Sequence, residues 1–401
     1  MGRIKVVKPG LLTTVQDAGR RGYEHWGVMV GGWLDDWAAL WANRLVANPA
    51  NAALLEVTLM GPELLVEEGG WAALTGADLG ASVNGAGWNP GSNRYLEDGD
   101  VVRFSRAHRG ARTYLAFSGG IAVDPVFESR STDLVAKFGG IEGRSLRSGD
   151  LLFFSGATDV FACKAPVETL MNGGEIRVLP GVRVDAFPAT ALNRLLAAEY
   201  RVSPRSDRVG MRLDGPPVTD QPMPSGGVSE GMAIGAIEVP PSGELLVLLK
   251  SRGSIGGYPA LAHVIRADWP RLAQLKPGDA VRFRLVDLTE AEVLLDAQME
   301  ALKQPLATGG NELAPVETQR TDARVTAPTW AVAYRAASPG GVPLASVGQV
   351  VHEGDPLAVL EVMKNFFDVV SPLSGKVVAV SFDDGQEVLE GQELFRIQPF
   401  S

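Results

Sequence analysis

A chain of 401 residues exceeds one ordinary hydrophobic core and points to two or three domains. With 45% apolar and 21% charged residues it has a globular composition, and a net charge of −10 argues against a nucleic-acid or anionic-membrane surface. No apolar run approaches the ~20 residues of a membrane span, and Met1-Gly2-Arg3-Ile4-Lys5 leads straight into strand-like sequence, so a cytoplasmic protein without signal peptide is expected. Cys163 is the sole cysteine, which excludes intrachain disulfides and thiolate clusters, and the four histidines have no metal-ligand spacing.

From residue 1 to about 287, short alternating apolar runs are punctuated by Gly, Pro, Asp and Asn, as in Leu64-Leu65-Val66 and Glu244 to Leu249. This pattern, with 47 Gly and 26 Pro, predicts a mainly β fold with tight turns. Asp35-Asp36 can cap a helix running through Trp37, Leu40, Trp41 and Leu45; Ala189 to Glu199 and Ala260 to Ala267 are further helix candidates. The phrases Leu96-Glu97-Asp98-Gly99-Asp100-Val101 and Leu275-Lys276-Pro277-Gly278-Asp279-Ala280 recur as turns feeding strands, with a weaker copy at Leu146 to Phe153. They suggest duplicated or interleaved β-barrels, with a subdomain boundary near 165–180. Thr289 to Lys303 has helical composition, and Gln304 to Asp322 is polar with Gly309-Gly310 and no hydrophobic period. The expected organisation is a body over 1–287, a helix and flexible linker over 288–324, and a carrier domain over 325–401.

The last segment repeats itself. Val347 to Leu357 matches Asp384 to Leu394 at an offset of 37, and Ala327-Pro328 matches Ser371-Pro372 at an offset of 44. The first half therefore holds 44 − 37 = 7 extra residues within Val332 to Leu344, around Ser338-Pro339-Gly340-Gly341. Glu361-Val362-Met363-Lys364-Asn365 falls at the join of the halves. This pattern resembles the biotinyl domain of biotin-dependent carboxylases, a flattened β-barrel of the biotinyl/lipoyl type with a short inserted thumb. The resemblance implies covalent biotin on Lys364 beside Met363, attached by a biotin protein ligase. Lipoyl domains share the fold but usually show Asp-Lys and lack the thumb. Val362 and Asn365 stand where the family usually has Ala and Met.

Residues 3 to about 285 resemble the family of KipA, the C subunit of 5-oxoprolinase and the carboxyltransferase half of urea carboxylase. The phrases carrying the match include Pro9 to Arg20, Ala42-Asn43-Arg44-Leu45-Val46, Leu55-Glu56-Val57-Thr58, Leu74 to Asp78, Ser129-Arg130-Ser131-Thr132, Ser206 to Gly210, Ser229-Glu230-Gly231 and Gly256-Gly257-Tyr258-Pro259. The resemblance implies tandem cyclophilin-like β-barrels and a KipI-like partner. With the carrier domain it implies a subunit that transfers a carboxyl group from N-carboxybiotin to a urea- or amide-like nitrogen. A separate biotin carboxylase would consume ATP and bicarbonate; the chain itself has no Gly-x-x-x-x-Gly-Lys-Ser/Thr loop. Two alternatives remain: a subunit of an ATP-dependent 5-oxoproline- or allophanate-type hydrolase, and a KipA-like regulatory binding protein.

Such chemistry asks for a site that excludes water, donors for developing negative charge, and an acceptor for the nitrogen's proton. Gly256-Gly257-Tyr258 offers close backbone approach, amide N–H groups and a phenol, although the glycines also suit a turn before a helix beginning at Pro259. Arg130, Ser131 and Thr132 can cradle a carboxylate or oxyanion, or cap a turn. Glu230 and Asp17 are candidate bases, or buried partners of Arg20 or Arg208. Gln16, Asp35 and Arg252 are polar candidates on the substrate side, and Trp26, Trp33, Trp37 and Trp41 are expected in core and interface. Departures from the family fall at three places: Ile237-Glu238-Val239-Pro240 replaces Ile-Gln-Val-Pro, Ser251 to Ile255 replaces Asp-Arg-Gln-Thr-Thr, and Glu128 replaces glycine. A carboxylate at Glu238 favours an acceptor that is cationic or rich in N–H groups.

Overall fold

The computed structural model describes all residues except 157–159, 166–173, 221–228, 309–322, 339–340 and 401. Most of the expected linker and Pro339-Gly340 of the insertion thus lie outside the described residues. The chain divides into two compact units. The first comprises Met1–Tyr200, Arg208–Leu275 and Ala280–Pro315; the second comprises Arg201–Asp207, Lys276–Asp279 and Val316–Ser401.

The fold is mainly β. In the first unit, a six-stranded sheet runs from Leu151–Phe154 through Gly2–Lys8, Glu63–Glu68, Val101–Arg103 and Ser82–Val83 to Ala86–Gly87. A seven-stranded sheet begins Leu12–Gln16, Leu54–Thr58, Arg109–Phe117, Gly70–Asp78 and Ser92–Leu96, and ends at Cys163–Lys164 and Ala307–Thr308. Its first two strands are buried along their whole length, which suits their β-branched and leucine-rich sequences.

An eight-stranded sheet has Ala280–Val281 at one edge and Phe283–Leu285 at the other, the latter parallel to Ile176–Pro180. Two strands separated by one residue occupy opposite edges, so the chain itself links the margins of a nearly closed barrel. Its interior strands Leu245–Leu248, Ala236–Glu238 and Ala260–Val264 are antiparallel neighbours.

Four α-helices are described: α1 Asp36–Leu45, α2 Ala191–Ala197, α3 Trp269–Ala273 and α4 Leu288–Ala301. Asp35 caps α1 through Oδ1, which accepts the Ala38 N–H at 2.8 Å. Helix α4 covers Ile265, Ala267 and Val286 with Ala291, Leu294 and Leu295. The helix expected from Ala260 is instead the strand Ala260–Val264. Alanine and leucine prefer helix locally, but strand partners on both sides override that preference. No helix among the described residues is long and apolar enough to cross a membrane, and those residues contain no cluster of three or more His, Cys, Asp or Glu side chains in metal-binding arrangement.

In the second unit, two four-stranded sheets make the flattened barrel. One orders Ala323–Thr326, Glu393–Pro399, Gly375–Val380 and Val350–Val351; the other orders Asn365–Val370, Pro356–Val362, Ala331–Tyr334 and Gln386–Val388. The internal repeat is visible in backbone geometry. Gly348 and Gly385 both take positive φ (92° and 77°), as do Gly354 and Gly391 (91° and 79°). Gly348 and Gly354 bracket the short strand Val350–Val351, and Gly385 and Gly391 bracket its equivalent, Gln386–Val388.

Candidate functional site

The hairpin of strands Pro356–Val362 and Asn365–Val370 closes between Val362 and Asn365, leaving Met363 and Lys364 as a two-residue turn. Both have positive φ, 53° and 59°, as a type I′ turn demands. Asn-Gly would relieve that conformation, whereas Met-Lys holds it at a cost, a pattern typical of functional turns. Packing and one side chain hold it: Val362 and Met363 are buried, and Asn365 Nδ2 donates to the Met363 carbonyl at 2.8 Å. Lys364 points the other way, with its side chain 57% exposed. Within this unit its Nζ lies 2.7 Å from Asp207 Oδ2, and the Met363 N–H donates to the Pro204 carbonyl. The turn thus presents an exposed amine on a backbone of positive φ.

In the body, the sequence-predicted residues fall into three places. The first is a knot around Asp17. Its Oδ1 accepts from Ser129 Oγ and Ser131 Oγ (2.6 Å each) and from Gly19 N (2.9 Å), and Oδ2 accepts from Arg130 N at 2.6 Å. Thr132 Oγ1 donates to the Val15 carbonyl, and Gln16 Nε2 donates to the Thr132 carbonyl and to Thr14 Oγ1. Arg20 is buried, donates to the Ser131 carbonyl at 2.5 Å, and has its guanidinium over the Phe138 ring; burial holds its pKa below the usual arginine range. Asp17 is thus saturated as an acceptor, and the polar groups of Ser131 and Thr132 are committed to fixing residues 129–132 against strand Leu12–Gln16.

The second place is a buried polar network. Asp35 Oδ2 accepts from Gln274 Nε2 at 2.7 Å, and Gln274 Oε1 accepts from Ala111 N and Arg112 N. Beside it, Glu56 accepts from Tyr114 Oη, Leu34 N and the Arg208 guanidinium. Burial pushes the Asp35 carboxyl up to about 7 and the Tyr114 phenol well above its usual range. Arg208 therefore pairs with Glu56, not with Asp17 or Glu230. The sequence carried one signal for this network: an acid within the wholly apolar surroundings of Leu54–Thr58 needs a buried partner. Tyr114 and Gln274 gave none.

The third place gathers Glu230, Glu238, Arg252, Gly256 and Gly257. Strand Glu230–Gly231 pairs with Ile255–Gly256, Glu230 opposite Gly256. Glu238 ends strand Ala236–Glu238, its backbone facing Leu246 and Ala260, and Ala236 and Ala260 pack with Met232 and Leu248 in a small apolar cluster. It is only 5% exposed, and burial alone pushes its carboxyl up to about 7. A Cβ on Gly256 would lie 3.5 Å from Glu238 Oε1 and only 2.8 Å from Met232 Cγ, so the glycine lets the backbone pack directly against the Met232 side chain and the Glu238 carboxyl. Arg252 Nε donates to the Met232 carbonyl at 2.7 Å, and its pKa is lowered by burial against the opposing charge of Glu24. Ser254 Oγ donates to the Glu24 carbonyl, tying this loop to the turn of Glu24–Trp26. His263, on the adjacent strand, is held below its usual pKa by burial, opposed by Glu230. Tyr258 is 41% exposed and begins no helix, because the chain enters strand Ala260–Val264.

The tryptophans separate. Trp33, Trp37 and Trp41 are buried, whereas Trp26 is 65% exposed and packs with Tyr23, His25 and Phe127.

Residues 26–285 match the family described as "Carboxyltransferase domain, subdomain A and B", and residues 323–397 match "Biotin-requiring enzyme". The chain belongs to the carboxyltransferase-domain family and carries a biotinyl-type domain at its C-terminal end. It is 36% identical over 291 residues to the C subunit of 5-oxoprolinase from Escherichia coli (strain K12), covering 72% of this chain and 93% of that protein. The crystal structure of the Kluyveromyces lactis urea carboxylase matches with a TM-score of 0.70 at 26% identity, over 90% of this chain but 33% of that one. The second unit resembles the biotin carboxyl carrier protein of acetyl-CoA carboxylase from Nostoc sp. (strain PCC 7120), 31% identical over 77 residues, 19% of this chain and 42% of that protein. The chain thus spans a third of the urea carboxylase and nearly all of the 5-oxoprolinase subunit. These likenesses support covalent biotin as the cofactor.

Proposed function

We propose that this chain is the carboxyltransferase and carrier subunit of a biotin-dependent carboxylase, moving a carboxyl group onto a urea- or amide-like nitrogen. The observation that carries the reading is the joining, in one chain, of a carboxyltransferase-family body and a carrier domain with an exposed lysine on a two-residue left-handed turn. On this reading residues 1–287 form the transferase body, 288–324 a helix and tether, and 325–401 the carrier. Biotin, charged elsewhere with bicarbonate and ATP, supplies the activated carboxyl group. Lys364 holds it, and Met363 anchors the turn. In the body, Gly256 and Gly257 offer backbone donors, and Arg252 and Tyr258 offer charge and a hydroxyl, to a carboxyl group shielded from water. Asp17, Arg130, Ser131, Thr132, Gln16 and Asp35 take positioning roles, since their polar groups are largely committed to the protein.

A KipI-like protein, a biotin carboxylase and a biotin protein ligase are the partners this chemistry requires. Mass spectrometry of the intact chain, co-expressed with a ligase, should show one biotinyl group that Lys364→Ala abolishes. An unmodified wild-type chain removes the carrier from the account. Coverage of nearly all of the 5-oxoprolinase subunit favours a second reading, a subunit of an ATP-dependent lactam hydrolase. The tethered carrier weighs against it, and against a purely regulatory role, because neither needs a mobile biotin.

A further inference from the structure

Moving a carboxyl group to nitrogen requires that the nitrogen give up a proton, and a base needs lone pairs not already claimed by the protein. Among the described residues of the first unit, six carboxylates are buried: Asp17, Asp35, Glu56, Asp133, Glu238 and Asp268. Five are engaged or sealed. Asp17 accepts four hydrogen bonds, Asp35 holds Ala38 N and Gln274, and Glu56 holds Arg208, Tyr114 and Leu34 N. Asp268 is paired with Arg177 and Arg271. Asp133 accepts Val135 N and Ala136 N through Oδ1, and its Oδ2 is shut away from solvent.

Glu238 differs. No described residue donates a hydrogen bond to it, only 5% of its surface is exposed, and the bare backbone of Gly256 packs beside its carboxyl. Glu230, opposite Gly256, is partly exposed, and its charge acts on His263. Arg252 is directed to the Met232 carbonyl and to Glu24.

We propose that Glu238 is the proton acceptor of the transfer step, meeting the N–H of the acceptor nitrogen directly. The proposal rests on the carboxyltransferase reading given above. As the new N–C bond forms, the nitrogen's proton passes to Glu238 and the N–H electron pair stays on nitrogen. Biotin, when attached, would supply the carboxyl group and keep the electron pair of the broken N–C bond, and Glu238 would hold the proton until it is passed to that nitrogen, so protons and charge balance over the cycle. Burial supports the role: a carboxyl titrating near 7 is a stronger base than an exposed glutamate, yet is ionised in a useful fraction at neutral pH.

Glu238→Gln keeps the shape and removes only the basicity. With the biotinylated chain, its carboxylase and its subunits assembled, the variant should lose about 100-fold in kcat while KM moves less than about threefold. Wild-type kcat/KM should rise through about pH 7, and the variant should lose that limb. A variant kcat within about threefold of wild type, with wild-type transfer intact, overturns the proposal. The unloaded chain gives an independent readout. The infrared difference between wild type and Glu238→Gln should contain a protonated-carboxyl stretch that disappears as pH rises through about 7. Its absence at pH 6 overturns the proposal regardless of acceptor. A wild type that shows this stretch but carboxylates no acceptor refutes the carboxyltransferase reading instead.

Discussion

Three carboxylates show how environment decides what a residue can do. Glu238 is buried without a partner, and the sign of its effect on stability follows. Its folded pKa is raised from 4.5 to about 7, so between those values the native state binds a proton the unfolded chain has released. Its stabilising contribution is therefore full at low pH and lost as pH rises to about 7. Thermal denaturation of wild type and Glu238→Gln should give a melting-temperature difference that grows in the variant's favour from pH 5 to pH 8; a constant difference contradicts the assignment. Asp35 is raised by the same burial, but its oxygens accept from Ala38 N and Gln274 Nε2. Gln274 cannot flip, because its amide oxygen accepts from Ala111 N and Arg112 N. Asp35→Asn must then turn a donor toward a donor, and should cost about 1–3 kcal/mol in chemical denaturation. Asp17→Asn meets the same conflict at Arg130 N and should destabilise by a similar amount while leaving the pH profile of transfer unchanged. A changed profile would restore Asp17 as a candidate base.

At the scale of elements, the hairpin of the second unit runs against local preference. Met363 and Lys364 adopt positive φ where Asn-Gly would be at ease, and Val362, Met363 and Asn365 hold the turn. The two residues that depart from the usual biotinyl pattern are thus structurally engaged: Val362 is fully buried, and Asn365 closes the turn through the Met363 carbonyl. The 37-residue repeat was legible because glycine turns recur at fixed spacing, and the capped helix α1 because Asp35 precedes a helical apolar face. The strand Ala260–Val264 was not legible, since its Ala-Leu composition favours helix and only its neighbours in the barrel reveal its state. The site was half legible. Family motifs and departures from them drew attention to Glu238, Arg252 and Gly256, which the fold brings together, but they could not show that Asp17 is saturated. That required knowing which hydroxyls reach it from 112 and 114 residues away.

Within the first unit, long-range polar contacts tie the seven-stranded sheet to segments far along the chain. Glu56 and Arg208, 152 residues apart, are both buried, and Tyr114 and Leu34 complete the acceptor's shell. Glu56→Gln strands a buried guanidinium and should cost about 3–5 kcal/mol, with little dependence on salt because the pair is shielded from counterions. A loss below about 1 kcal/mol, or one erased by high salt, would mean the pair is more solvated than the structure shows. On the proposed function, Lys364 carries the activated carboxyl group to the body. ATP-dependent fixation of labelled bicarbonate onto urea-like and lactam acceptors, by the chain assembled with its carboxylase and partner subunits, tests it most directly. The account predicts fixation by wild type and none by Lys364→Arg, which keeps the charge but cannot be biotinylated. Acceptor turnover that persists undiminished in Lys364→Arg would contradict it.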